Sequence, residues 1–152
     1  MCQIPIEIDG AETIVRAIKS PSHVDKNHNL KAAAFRSRPG TDDVSVIRHT
    51  YMGSDFCKAK GKSTASPASV YFGLASIKAD AIRSTGSTVE DSRQEFFGHA
   101  HISHGLILPP NEPLNSGDSL VLQERCKALR SKATLHRDPD PNLEHWTGAV
   151  IS

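Results

Sequence analysis

From Glu95 to Ser103 the chain alternates without a break. Phe96, Gly98, Ala100 and Ile102 fall on one side, and Glu95, Phe97, His99, His101 and Ser103 on the other. Successive side chains of a strand point to opposite faces, so this segment reads as extended chain with one buried face. A chain that carries it must build a sheet, with His99 and His101 side by side on the face turned from the main core, about 6–7 Å apart at Cβ. His104 is out of phase and joins them only if the chain bends after Ile102, for which Gly105 provides the means.

Other segments repeat the strand signal. Gln3 to Ile8 alternates Ile4, Ile6 and Ile8 with polar residues and Pro5, as an edge strand does. Asp43 to Tyr51 is rich in β-branched residues, and Val70 to Ile77 reads as a buried strand. Lys31–Arg36 and Ser87–Val89 read as shorter strands. Asp9 and Glu12 have capping-box spacing, which predicts a helix to about Lys19 with Ile14, Val15 and Ile18 inward. Met52–Lys60 reads as a polar helix or loop, and Lys78–Ser84 as a short helix stopped at Gly86. The best helix runs from about Ser119 to Ala133, capped by Asp118 or Ser116, with Leu122, Cys126, Leu129 and Ala133 as its apolar stripe. These elements predict an α+β fold: a small, mostly antiparallel curved sheet with two or three helices packed on it. Residues 1–137 form the single domain, and residues 138–152 a Pro-rich tail with the lone Trp146.

Composition narrows the class. The chain has 152 residues, enough for one domain with a real core, and its net charge of +1 gives no global pull toward nucleic acid or anionic lipid. Cys2, Cys57 and Cys126 are odd in number and widely spaced, which argues against a disulfide scaffold and suits a reducing cytoplasm. The start lacks a basic segment followed by an apolar run, so no signal peptide is expected. No apolar stretch approaches the roughly 20 residues of a membrane span.

Chemistry concentrates at the histidines. Neutral imidazoles accept protons or bind metal, so His99 and His101 are the candidate catalytic residues and candidate ligands of a divalent metal such as zinc. His104 is a further candidate catalytic residue, and His104, Glu95, Asp118 or His49 would complete such a metal site. Ser45, Thr50, Tyr51 and the Lys58–Lys62 stretch are candidates to orient or neutralise a phosphate, Ser45 as a candidate catalytic group. The spacing of His99, His101 and His104 is near that of metallo-β-lactamase-like hydrolases, but Ser103 stands where their Asp is required. It also departs from the histidine-triad nucleotide hydrolases, since His104 is one residue out of register. His101-Ile102-Ser103 resembles one half-site of the two-histidine phosphoesterases, with no second half-site. Gly61-Lys62-Ser63 resembles the end of a P-loop, but Phe56 occupies the place of the first glycine. Arg125, Lys127, Arg130 and Lys132 make one helix basic, a possible nucleic-acid contact that a solvated face explains as well.

The layout of Ala33-Ala34-Phe35, Asp43-Val44-Ser45-Val46, Gly73-Leu74-Ala75 and His99-Ala100 resembles short uncharacterised bacterial proteins encoded in multi-protein operons. That resemblance implies a bacterial cytoplasmic protein with a protein partner, and the first expectation is an accessory subunit that docks through residues 109–113 and the Trp146 tail. The alternative expectation is a histidine-dependent hydrolase, with or without metal assistance, acting on a phosphate ester or nucleic acid. Neither expectation involves a membrane.

Overall fold

The computed structural model describes residues 3–152. Its strands are β1 (Thr13–Ser20), β2 (Val44–Arg48), β3 (Val70–Lys78), β4 (Thr88–Asp91), β5 (His99–Ser103) and β6 (Thr134–Arg137). Its α-helices are α1 (His49–Ser63), α2 (Ala79–Ser84) and α3 (Ser116–Lys132). The strands form one open antiparallel sheet in the order β4-β5-β2-β1-β3-β6. The fold is α+β, with helices on both faces of the sheet.

One face carries the larger core. Ile14, Ile18, Val46, Ile77, Ala100 and Ile102 pack there with Leu122, Cys126 and Leu129 of α3. Each fully buried aliphatic contributes about 1.5–3 kcal/mol. Asn115 caps α3, its side chain accepting from the Asp118 amide at 2.9 Å. The opposite face packs Val15, Ile47 and Leu74 under Cys57 of α1 and Ile151 of the tail.

This double cover explains the main correction. The expected helix up to Lys19 is β1. A strand buried on both faces loses its alternation, and Ile14, Val15 and Ile18 then imitate a helical stripe. The Asp9 signal is a turn: its carboxylate accepts from the Ala11 amide at 2.8 Å, and its carbonyl from the Glu12 amide at 3.0 Å. Glu12 goes instead to Arg48. The expected strand at Lys31–Arg36 is a 3-10 turn, Ala32–Phe35. Residues 95–98 are a turn rather than the start of β5, with Gly98 at φ 93°.

Residues 4–8 take no place in the sheet. Arginine side chains replace the ladder: Arg93 donates to the Ile4 carbonyl, Arg48 to those of Pro5 and Glu7, and Arg83 to that of Ile8. Arg48 is fully buried and also pairs with Glu12 at 2.6 Å and Asp91 at 2.7 Å. The tail docks on its own domain. Lys58, 0% exposed, donates to the Asp140 carbonyl at 2.7 Å and the His145 carbonyl at 2.9 Å, and pairs with Asp138 at 3.0 Å.

Candidate functional site

β1 and β2 pair at Ile14–Arg48 and Val15–Ile47, and then part. Arg16 fills the resulting wedge. Its Nη1 donates to the Ser45 carbonyl at 2.8 Å and its Nε to the Ala34 carbonyl at 2.9 Å. Over this gap lies a cleft of about 390 Å³, walled by the sheet, by the last turns of α1 and by the turn before β5. That volume is within the usual range for small-molecule sites.

His99 stands on the wall of this cleft. Its Nδ1 is 2.5 Å from the Ser92 hydroxyl, and its Nε2 is 3.5 Å from the Glu95 carboxylate. The turn over residues 92–98 brings both partners back onto the ring: the Glu95 amide donates to the Ser92 carbonyl and the His99 amide to that of Phe96, each at 3.0 Å. Phe96 meets the imidazole edge-on at 4.7 Å. Burial is the main cause that lowers the His99 pKa, with His101 and Arg38 adding to it and Glu95 and Ser92 opposing. The ring is therefore neutral at pH 7.

Four cations border the same cleft: Arg16, Lys19, Arg38 and Lys60. Among the described residues none has a carboxylate within 4.0 Å. Lys60 is held by aromatic faces, its Nζ 4.2 Å from the Phe96 centroid and 5.5 Å from that of Phe56. Burial, then the Arg38 charge, brings the Arg16 guanidinium down to about 10, still protonated at neutral pH.

The expected site residues divide. Ser45 lines the cleft and pairs across the ladder with His101. The His101 Nε2 is 3.9 Å from Asp43, another residue of the cleft wall. His104 lies in the core on the other side of the sheet. Its Nε2 donates to the Phe35 carbonyl at 2.7 Å, which leaves Nδ1 to accept from Ser87 at 2.8 Å. The bend at Gly105 does not bring it to His99. Thr50 accepts from the Thr13 amide, Tyr51 lies against Arg48, His49 bonds Ser54 and Asp118 sits in the α3 cap. Of the lysines at 58–62, Lys60 alone lines the cleft. In the basic helix, Arg125 donates to the His104 carbonyl.

Among the described residues no three His, Cys, Asp or Glu side chains gather closely enough to hold a metal ion. Burial pushes the Cys57 thiol up to about 12 and the Cys126 thiol to about 11, so neither supplies a thiolate. Arg16, Lys19 and Arg38 were invisible as site residues in the sequence. An isolated charge pair of an arginine and a lysine within an apolar strand, Arg16 and Lys19, was the one signal available.

Comparison with protein-family models, curated proteins and solved structures finds no match for the chain in any of the three. No helix among the described residues is long and apolar enough to cross a membrane.

Proposed function

We propose that the cleft binds a phosphate-bearing ligand and that His99 serves there as the proton acceptor of a phosphate-ester hydrolase. The observation that carries this reading is the concentration of Arg16, Lys19, Arg38 and Lys60, without carboxylate partners, around a neutral imidazole, in a chain whose net charge is only +1. Four cations against the two carboxylates of the cleft wall, Asp43 and Glu95, leave a positive excess that attracts an anion and stabilises the charge that grows at phosphorus during attack. Glu95, at 3.5 Å, favours the imidazolium that forms when His99 takes a proton. Ser92 is 1% exposed and lies outside the cleft wall, so it orients the ring rather than attacking substrate. The test is phosphate release from a panel of aryl and nucleotide esters by the wild type, His99→Ala and Lys60→Ala. Turnover by the wild type that both variants lose supports the reading; no turnover and no phosphate binding ends it.

A second reading, an accessory subunit of a bacterial cytoplasmic assembly, draws on apolar side chains left in solvent. Ile107 is 72% exposed and Leu120 60%. Ile107 lies just before the Pro-rich segment 109–113, and Leu120 in the first turns of α3 after it. The tail offers less to a partner, since Trp146 donates its amide to Asp55 and Ile151 is buried. A single-copy sedimentation profile and no operon neighbour recovered in pull-downs would remove this reading.

A further inference from the structure

We infer that the ester suited to this cleft is the phosphodiester of an RNA strand, cleaved by its own 2′-hydroxyl. This rests on the reading of the cleft as a phosphate-ester site and adds the source of the nucleophile.

Cleavage at phosphorus needs an attacking oxygen or sulfur. The hydroxyl bonded to His99 belongs to Ser92, which is buried away from the cleft. Ser45 faces the cleft, but its hydroxyl has no hydrogen bond to His99, whose ring nitrogens go to Ser92 and Glu95, and the Thr64 hydroxyl is turned back onto the Lys60 and Gly61 carbonyls. Cys57 is buried in the small core beneath α1. The donor set for a metal-activated water is not gathered either. What the cleft does offer is a base, His99 backed by Glu95, and cations for the phosphoryl oxygens. Water deprotonated by His99 would still have to be held beside phosphorus by groups of the protein; a 2′-hydroxyl needs none, because the substrate itself holds it there, an advantage worth an effective molarity of about 10⁵–10⁸ M in well-oriented systems.

A second observation separates a strand from a small ester. A fifth cation lies beyond the cleft. The His23 amide donates to the Lys19 carbonyl at 2.9 Å, and the Lys31 amide to the His23 carbonyl at 2.8 Å, so Lys31 follows Lys19 along one edge. His23 between them is neutral at pH 7, brought down to about 4 by burial and then by the charges of Arg16, Lys19 and Lys31, and its Nδ1 accepts from the Lys19 amide at 3.1 Å. One phosphate does not use five cations, Arg16, Lys19, Lys31, Arg38 and Lys60; successive phosphates of a strand do.

The step balances. The 2′-oxygen bonds to phosphorus as its proton passes to His99. The bond from phosphorus to the 5′-oxygen breaks, that oxygen takes a proton from water, and the hydroxide so formed takes up the proton held by His99, which restores the neutral ring. The products are a 2′,3′-cyclic phosphate and a 5′-hydroxyl, with no oxidant or metal consumed.

The experiment uses the full chain with EDTA and a labelled DNA oligonucleotide carrying one ribonucleotide, beside the same strand with that sugar 2′-O-methylated. Expected are cleavage at the ribonucleotide alone, a cyclic phosphate end in the mass spectrum, and a loss of roughly a hundred- to ten-thousand-fold in His99→Ala. Glu95→Gln, at an exposed position, supplies a second variant that does not disturb the core and should slow the reaction while leaving strand binding intact. Equal cleavage of both strands, or hydrolysis of small esters without cleavage of RNA, overturns the RNA assignment and leaves the phosphate-ester reading standing. Failure to bind either strand or to turn over any ester removes both.

Discussion

The Ser92 hydroxyl lies 2.5 Å from Nδ1 of His99 and grips the ring from the buried side, so that the opposite nitrogen is presented toward Glu95 and the cleft. An imidazole free to rotate about its χ angles would spend only part of its time with that nitrogen in place. Ser92→Ala removes the grip and leaves Nδ1 buried without a partner. Stability should fall by about 1–3 kcal/mol. Turnover of any ester the wild type accepts should fall about tenfold with little change in KM, and Ser92→Thr should restore part of it. Urea melts and steady-state kinetics on both variants check this; unchanged kcat in Ser92→Ala contradicts an orienting role.

Lys58 is a second buried group whose loss is readable. Lys58→Met leaves Asp138 with Tyr71 as its side-chain partner and strips two tail carbonyls of their donor. Breaking one side of a buried pair costs about 3–5 kcal/mol. The variant should melt earlier and be cleaved by protease between residues 139 and 150 at concentrations that spare the wild type. A resistant tail would show that Trp146 and Ile151 suffice to hold it.

Stability should decline as pH falls from 7 to 4. His99 and His104 sit below the ordinary histidine value of 6.5 through burial, as do His49 and His136, and His23 is brought down to about 4. In this window the unfolded chain binds more protons than the folded one, so stability rises with pH. Their contribution is full above about 6.5 and is lost as pH passes down through the folded values. Asp91 and Asp138, held down by Arg93, Arg48, Tyr71 and Lys58 against their burial, act with the same sign at lower pH. Urea midpoints measured across the range should fall steadily; a flat or rising profile toward acid contradicts the account.

Gly53 breaks α1 with φ 81° and ψ 169°, a region closed to residues with a Cβ. An added methyl there meets nothing within 4 Å, so the cost of Gly53→Ala is purely conformational. About 1–3 kcal/mol should be lost, read from urea unfolding. A neutral result would mean that His49–Met52 joins the rest of the helix without strain.

The parts of the fold legible in the sequence are those whose composition or phase fits one kind of element only, and the apolar run Val70–Ile77 is read as a strand although β3 is covered on both faces. Ala100 and Ile102 alternate with His99 and His101 as expected, and Leu122, Cys126 and Leu129 line α3 in their predicted phase. β1 reads as a helix because, with both faces covered, its Ile14, Val15 and Ile18 also fit helical spacing behind the Asp9–Glu12 signal. The candidate site was half legible. His99, Ser45, Glu95 and Lys60 drew attention as reactive or charged side chains, yet their convergence depends on a turn at Gly98 and on two strands that part, neither of which leaves a periodic trace. Arg16 was hidden by its place in an apolar strand, where it substitutes for the missing ladder between β1 and β2.

The most direct measurement is a titration of inorganic phosphate into the wild type and Lys60→Ala, followed through the ring proton resonances of His99. A saturable shift of those resonances in the wild type, weakened about tenfold or more in Lys60→Ala, is the predicted result. His99 signals that stay fixed while phosphate is raised to saturation of any other site, or identical curves for the two proteins, would contradict the cleft as a phosphate site.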